Sequence, residues 1–177
     1  MRRLLQRISR SLPVRIIERR DGLPYLERFY LFRVWRWTFF LHKFVSSDPE
    51  GEVHDHPWNS LSIMLVGSYL ETRWLGGELV EFKRTWVNLI KGETFHRVTL
   101  FEKINTWAGV VRLEQSCWTL FIHAPRFKGW GFLRRLSLES GGESMTFYSY
   151  TPVPRGKYEE EQWYHKKNVR RGRALNG

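Results

Sequence analysis

Three histidines have the chemistry and the spacing to bind a metal ion. His54 and His56 stand two residues apart, and His96 follows 40 residues after His56. Side chains at positions i and i+2 of a β-strand leave the same face, so both imidazoles of the pair are expected to point the same way. His96 follows a turn signal at Gly92 and is expected to face the same interior from another strand.

Three neutral imidazoles on a rigid β scaffold leave coordination positions open. Water, dioxygen or a substrate can occupy such positions, which is what a catalytic metal site needs and a closed structural site lacks. Imidazole binds iron(II), zinc, copper and nickel alike, so the residues alone do not select the metal.

The glycines around these histidines resemble the two motifs of the cupin superfamily. Gly67, eleven residues after His56, matches the closing glycine of the first motif, and Gly92 precedes His96 as in the second. The acidic fourth ligand of that family falls at Ser60, so the resemblance is to cupins with three histidine ligands. It implies an all-β, cupin-like double-stranded β-helix, or jelly-roll barrel, with one divalent metal on the three histidines.

Among three-histidine cupins, the local sequence is similar to the thiol dioxygenases, which implies an Fe(II) centre. That family places a tyrosine and a histidine on a late strand, where this chain has His123 and Phe121, and the cysteine that some members crosslink falls at Leu61. The spacing between the two motifs is also shorter here, so a thiol substrate does not follow. The resemblance spans about residues 40 to 127 and is carried by residues 54–56 with 59–60, 70–72, 95–98 and 120–125.

Other titratable residues have less specific readings. His123 is a candidate catalytic residue beside the metal or a proton shuttle, because an unperturbed pKa near 6.5 suits either role, and a half-buried strand residue is the equal alternative. Asp55 is expected on the opposite face from its neighbours, bonding a backbone N–H. Glu71 and Glu114 are expected to be solvated surface residues. Cys117 is expected to be a small buried side chain.

An anionic substrate would require an arginine that points into the barrel. Arg28, Arg33 and Arg36 on the early strands and Arg112 further along are the alternatives. The strand register decides among them, so the sequence leaves all four open.

The sequence pattern from Tyr25 onward is typical of short β-strands. Segments dense in aromatic and β-branched residues alternate with turn signals about every ten residues, which favours a sandwich or barrel. Four tryptophans (Trp58, Trp86, Trp107 and Trp118) are expected in the core or at the barrel mouth. The strand candidates are 29–32, 35–45, 53–56, 59–66, 68–74, 78–83, 85–90, 95–100, 107–113 and 117–123.

The two ends of the chain differ from the middle. Leu4, Leu5, Ile8 and Leu12 recur at helical spacing among arginines, which predicts a short basic helix ending near Pro13. It could pack over a sheet or lie on an anionic membrane. After about residue 145 the chain becomes polar, with fraying expected beyond residue 166. The predicted divisions are a basic arm over 1–24, the barrel over 25–150 and a polar basic tail over 151–177.

Composition excludes several classes of protein. A chain of 177 residues that is 42% hydrophobic and 16% aromatic is not disordered, and one cysteine excludes a disulfide framework and a cysteine-rich zinc finger. The low cysteine content favours a reducing cytoplasm. No apolar run approaches the roughly 20 residues that cross a bilayer. The formal charge of +11 is concentrated in residues 1–20 and 155–177, where weak polyanion contact and simple solubilisation are both open.

These observations predict metal-dependent oxidation of a small molecule in the barrel, with Fe(II) the favoured metal. One alternative is a non-oxidative isomerase, lyase or hydrolase that uses zinc, nickel or manganese as a Lewis acid. A second is a ligand-binding or regulatory module whose basic arms contact nucleic acid or a protein partner. A homodimer is expected by family analogy only.

Overall fold

The computed structural model describes residues 1–19, 22–48, 52–100, 102–106, 109–113, 115–140, 143–154, 163–165 and 169–172, with side chains outside 101–114 and 138–146. One helix precedes fourteen strands, and a 3₁₀ turn follows them. The elements are α1 (Arg2–Ser9), β1 (Val14–Glu18), β2 (Pro24–Val34), β3 (Trp37–Phe44), β4 (Glu52–His54), β5 (Ser60–Val66), β6 (Tyr69–Leu75), β7 (Glu78–Arg84), β8 (Val87–Ile90), β9 (His96–Thr99), β10 (Glu102–Thr106), β11 (Gly109–Leu113), β12 (Cys117–His123), β13 (Gly131–Ser140), β14 (Glu143–Pro152) and the 3₁₀ turn Trp163–His165.

The strands form two six-stranded antiparallel sheets. Sheet A has the order β1-β2-β3-β12-β5-β8, and sheet B has the order β14-β13-β4-β9-β6-β7. The chain changes sheet at most connections between β3 and β13, so the strands wind around a common interior. This is the double-stranded β-helix, and the predicted all-β jelly-roll fold with a short basic N-terminal helix is confirmed. A separate hairpin of β10 and β11 completes the set.

The interior between the sheets is apolar at one end and polar in its middle. The apolar end is a cluster of Leu26, Phe44, Tyr69, Val98, Leu100 and Cys117, contributed by both sheets. Beyond it, alternate residues of β3 and β12 turn polar side chains inward, among them His42 and Thr119, which are buried. A barrel that buries polar groups in its centre is shaped to hold a polar ligand.

The opposite end of the interior is covered by the C-terminal segment. Trp163 and Tyr164 are buried against Phe40 and Phe121. The Tyr164 ring also stacks on Tyr30 at 3.7 Å between centroids.

Both termini pack on sheet A. Leu5 of α1 is buried with Phe29 and Trp118 on the outer face of the sheet. The Val14 N–H donates to the Arg170 carbonyl at 2.8 Å, and Pro13 forms an isolated bridge with Arg171. The expectation of fraying beyond residue 166 is thus wrong for residues 169–172, because their backbone groups hydrogen-bond to the N-terminal segment.

Other differences between expectation and structure follow from backbone pairing. Strand β4 ends at His54, so His56 lies in the following connection and not on the strand expected over 53–56. No strand was predicted after residue 123, yet residues 131–152 form the ten-pair hairpin of β13 and β14. Trp86 is 80% exposed and is not a core residue, whereas Trp118 is buried. Trp107, Glu114 and the Arg112 side chain lie outside the described residues.

Among the residues that the structure describes, no helix is long and apolar enough to cross a membrane. Cys117 is fully buried, and burial raises the pKa of its thiol to about 12. The thiol is therefore a packed apolar group, as expected, and not a nucleophile.

Candidate metal centre

The three predicted histidines converge on one point between the sheets. His54 at the end of β4 pairs directly with His96 at the start of β9. His56 follows two residues after His54 and turns its ring toward both. One nitrogen of each ring lies within 4.8 Å of the others. The sequence prediction therefore named three residues that the fold brings together.

The ring positions suit coordination of a single ion. The Nε2 atoms of His56 and His96 are 2.8 Å apart. Two nitrogens bound to one ion at about 2.1 Å each, at a right angle, would be separated by about 3 Å. His54 completes the triangle, with ring centroids 5.0 Å from His56 and 5.2 Å from His96.

Burial keeps the imidazoles in the form that binds metals. It lowers the pKa of His54 to about 4, and it lowers the pKa of His56 well below its usual value. The neighbouring histidines lower both values further. At neutral pH these rings are uncharged, and a neutral imidazole offers a nitrogen lone pair to a metal.

A buried carboxylate orients His96. The Nδ1 of His96 lies 2.7 Å from Oε1 of Glu71, a side chain with no exposed surface. Burial alone would raise the pKa of Glu71, but hydrogen bonds from His96, Asn88 and Arg73 and the charge of His96 lower it to about 2. The ionised carboxylate must accept, so Nδ1 carries the proton and Nε2 keeps its lone pair for a metal.

Two arginines neutralise this carboxylate. Arg84 donates to Oε2 of Glu71 at 2.6 Å, and the Nε of Arg73 lies 3.0 Å from the same oxygen. Arg73 also donates to Asn88 at 2.7 Å. The expectation that Glu71 is a solvated surface residue is wrong, because its register on β6 turns it inward behind His96.

The loop that carries His56 is tied to the turn before β9. The His56 N–H donates to the Gly92 carbonyl at 3.2 Å, and the Gly92 N–H donates to Oδ1 of Asn59 at 2.8 Å. A Cβ at residue 92 would lie 3.0 Å from the His56 carbonyl oxygen and 2.7 Å from the Phe127 ring. Glycine is needed here for close approach, which places His56 against the strand of His96.

Asp55 points away from the cluster, as expected. Its Oδ1 accepts from the Gly131 N–H at 2.6 Å, and its Oδ2 pairs with Lys128. The prediction that Asp55 bonds a backbone N–H is confirmed. This contact joins the histidine loop to the start of β13.

An arginine lies inside the barrel without an acidic partner. Arg28 donates from Nε to Nε2 of His42 at 3.1 Å, and its guanidinium lies over the rings of Phe40 and Phe121. Burial lowers the pKa of Arg28 to about 10. None of the ion pairs among the described residues involves Arg28. Of the three alternatives whose side chains the structure describes, Arg28 lies on the interior wall, whereas Arg33 and Arg36 are exposed.

His123 lies on the wall between this arginine and the histidine cluster. Its ring stacks on Trp58 at 4.3 Å, and Trp58 in turn stacks on His56 at 6.4 Å. The His123 Nδ1 donates to the Ala124 carbonyl at 2.7 Å, which leaves Nε2 free to accept a proton. Burial lowers the pKa of His123 to about 4. His123 is therefore near the cluster but not part of it.

Several buried polar atoms on this wall have no hydrogen-bond partner within the described part of the chain. They are Nε1 of Trp58, Oγ of Ser60 and Oγ1 of Thr119. Thr119 stands in register beside His42, which stands beside Arg28. Buried polar groups normally find a partner, so this row can accept a polar ligand or water.

Sequence reasoning missed Glu71 and His42. Both stand two residues away from inward-facing aromatic residues on the same strand. Glu71 follows Tyr69 in this way, and His42 lies between Phe40 and Phe44. That period of two was the available signal. Which face was inward depended on a register that no short segment contains.

Comparison with known proteins places the chain among similar folds. No family model matches it, and no curated protein matches it. Solved structures do match, among them Fe(II) HppE in complex with substrate, at 13% identity over 63% of this chain and 56% of that one, with a TM-score of 0.48. Protein NMB1881 from Neisseria meningitidis matches at 15% identity over 56% and 84% of the two chains, with a TM-score of 0.39. KdgF from Halomonas sp. matches at 16% identity over 58% and 81%, with a TM-score of 0.38.

The chain spans little more than half of the HppE chain. The strand order and the three-histidine cluster of the chain itself fit the cupin superfamily.

Proposed function

We propose that this protein is a metal-dependent oxygenase of the cupin type. In this proposal, His54, His56 and His96 bind one Fe(II) ion, and a small anionic molecule is oxidised between the two sheets. The observation that carries the proposal is the convergence of three imidazoles, one of them held in its metal-binding tautomer by Glu71.

The donor set fits a divalent ion. Three neutral nitrogen donors without an acidic fourth ligand bind iron(II), and they also bind zinc or nickel. A bound iron(II) ion would supply redox chemistry together with open coordination positions for dioxygen and substrate. Manganese, zinc or nickel would supply Lewis-acid chemistry at the same place, which is the competing function.

Arg28 and His42 are the groups that would bind the substrate. A half-buried guanidinium with no carboxylate partner among the described residues is costly, and an anionic ligand removes that cost by supplying charge and two acceptor oxygens. Thr119 extends the polar row beside His42 with an unpartnered hydroxyl. The proposed substrate class is therefore a small molecule with a carboxylate, phosphate or phosphonate group.

His123 is proposed to accept a proton during turnover. Its Nε2 has the lone pair, because Nδ1 is committed to the Ala124 carbonyl. Trp58 and Phe40 stack on the two sides of the ring and limit access of water to it. The low pKa keeps His123 neutral at physiological pH, so its Nε2 lone pair is unprotonated there.

A thiol substrate has less support. The late-strand positions that the thiol dioxygenases fill with tyrosine and histidine hold His123 and Phe121, so the phenol hydroxyl is missing. Phe121 instead packs its ring against His42 at 4.4 Å. Thiols are accordingly one class within the substrate screen and not the assigned class.

The division into an arm (1–24), a barrel (25–150) and a tail (151–177) stays a proposal, with chemistry assigned to the barrel. A cytoplasmic location, weak polyanion contact through the termini and a homodimer also remain predictions.

Oxygen uptake tests the proposal. The purified chain is loaded anaerobically with Fe(II) and exposed to dioxygen with panels of small carboxylates, phosphonates and thiols. We expect uptake that requires both iron and an anionic compound. Turnover with zinc but without oxygen uptake would overturn the oxygenase assignment, as would the absence of uptake with every compound.

The substrate assignment has its own variant. Arg28→Met keeps the length of the side chain but removes its charge, and it should raise KM for the anionic compound by roughly 100-fold, about the loss of one charge-assisted contact. Arg97→Met is the matched control, since Arg97 neighbours His96 but donates to Thr72. Equal effects of the two variants would contradict the role of Arg28.

A further inference from the structure

The turn between β2 and β3 carries an exposed apolar surface. Phe32, Val34, Trp35 and Trp37 are 50%, 51%, 92% and 48% exposed. Val34 pairs with Trp37, so a two-residue loop closes the hairpin. We call these four residues, with Arg33 and Arg36, the hairpin tip. Four large apolar side chains at one protruding end are unusual on a protein surface unless they bind something.

The backbone at the tip adopts an unfavourable conformation at a tryptophan. Trp35 has φ of +54°, a left-handed conformation that glycine or asparagine normally occupies in such turns. Its side chain is almost fully exposed, so burial within the described part of the chain does not offset the cost of that conformation. A bulky residue kept in a strained and exposed position points to a contact outside the chain.

The charge around the tip has one sign. From Arg28 to Ser47 the chain contains no aspartate or glutamate, and Arg33 and Arg36 are both exposed. None of the ion pairs among the described residues involves Arg33 or Arg36, so the surface combines apolar side chains with positive charge. A binding partner that complements the hairpin tip would have an anionic surface layer over an apolar interior.

We propose that the hairpin tip binds the surface of an anionic phospholipid membrane. Tryptophan rings favour the headgroup level, where the ring is apolar and its N–H meets water, and arginines pair with lipid phosphates. The aliphatic Val34 has no ring to stack on a base, which favours a membrane over a single-stranded nucleic acid.

Binding through the tip would also orient the barrel. Arg33 pairs with Thr38, and Thr38 pairs with His123 on the adjacent strand. The tip thus continues sheet A just beyond the row that holds His123. The membrane would lie at the His123 end of the interior. This inference does not depend on the metal or on the proposed oxidation.

Cosedimentation of the full chain with vesicles tests the inference. Vesicles of phosphatidylcholine with phosphatidylglycerol should bind the protein, and vesicles of phosphatidylcholine alone should bind it more weakly. High salt should weaken the anionic case, because the arginine contacts are screened. Failure to bind the anionic vesicles at low salt would overturn the proposal.

The decisive variant is Trp35→Gly. Glycine adopts the positive φ without strain, so the fold should be kept, yet the affinity for anionic vesicles should fall about tenfold with the loss of one buried ring. Trp86→Gly is the matched control, since Trp86 is 80% exposed between β7 and β8, and its vesicle binding should match wild type.

Two further outcomes would overturn the assignment. Vesicle binding that survives Trp35→Gly but is lost in Ile8→Ser would assign the contact to α1, whose Ile8 is also exposed. Preferential binding of a single-stranded oligonucleotide that is lost in Trp35→Gly would assign the tip to nucleic acid.

Discussion

At the scale of single residues, the protonation of His96 decides whether the cluster can bind a metal. An imidazole has one proton to place, and the Glu71 carboxylate attracts it to Nδ1. Without that partner, the proton could sit on Nε2 and block coordination. The buried carboxylate thus acts through the histidine and not on the metal.

Glu71→Gln should therefore weaken metal binding while leaving the three ligands in place. We expect an affinity loss on the order of 10- to 100-fold, the usual effect of losing a partner behind a ligating histidine. Isothermal titration with a divalent ion measures it. Glu81→Gln, on the exposed strand β7, is the control and should bind as wild type does. Equal affinities of wild type and Glu71→Gln would contradict the role of Glu71.

The buried histidines also predict how stability depends on pH. His42 and His123 have folded pKa values below the ordinary value of about 6.5, because burial disfavours their charged forms. As the pH falls below about 6.5, the unfolded chain takes up protons that the folded chain refuses until about pH 4. The stability of the metal-free protein is therefore full above that range and falls through it.

Urea unfolding of the metal-free protein at a series of pH values measures this loss. His123→Gln should make the dependence shallower, since the variant removes one of the groups that must stay neutral. A free energy of unfolding that stays constant from about pH 7 to about pH 5 would contradict the burial of neutral histidines.

The sequence predicted the residues of the site unevenly at this scale. The histidines could be found because their spacing is a local pattern. Arg28 could not be separated from Arg33 and Arg36, because the sequence does not show which face of the early strands points inward or where their turn lies. Glu71 was misassigned for the same reason, since only its register with β9 makes it buried.

At the scale of elements, the position of His56 depends on a loop and not on a strand. The Gly92 N–H donates to Oδ1 of Asn59, and the His56 N–H donates to the Gly92 carbonyl. These two hydrogen bonds join the loop to the turn before β9. The loop is fixed by these bonds in place of a sheet ladder.

Asn59→Ala should loosen the site more than the fold. Losing this partly buried hydrogen bond costs about 0.5–1.5 kcal/mol, and the displaced His56 should bind metal several-fold more weakly. Denaturant unfolding and metal titration on the same variant separate the two effects. Ser46→Ala is the control, because it removes a comparable turn contact, to the Pro24 carbonyl, away from the cluster. Unchanged metal affinity in Asn59→Ala would sink this account of the loop.

Strands bounded by turn-forming residues were predictable from the sequence, and strands without such boundaries were not. The strands from β5 to β9 are separated by turns that contain glycine, except between β7 and β8, and their predicted positions agree with the structure to within a few residues. The β13–β14 hairpin has no clean alternation of apolar and polar residues along Phe132 to Ser137. The hairpin is stabilised by the pairing of β13 with β14 and of β13 with β4. A local sequence pattern does not predict such long-range pairing.

At the scale of the whole molecule, the chain ends complete the barrel. Trp163 and Tyr164 cover the interior aromatics, and residues 169–172 bond to the segment before β1. The α1 helix and residues 169–172 thus lie on sheet A.

Trp163→Ala should lower the free energy of unfolding by roughly 3 kcal/mol, the cost of emptying a large buried aromatic site. Urea unfolding followed by circular dichroism checks it. Trp86→Ala, which removes an exposed tryptophan, should change stability by less than about 0.5 kcal/mol. Equal stabilities of wild type and Trp163→Ala would mean that the C-terminal segment does not pack on the barrel in solution.

The most direct test of the central claim is the metal stoichiometry of three proteins after reconstitution with Fe(II): the wild type, His96→Ala and His123→Ala. The cluster of three imidazoles predicts about one ion per chain in the wild type and in His123→Ala, and none in His96→Ala. Full occupancy in His96→Ala, or an empty wild type, would contradict the metal centre.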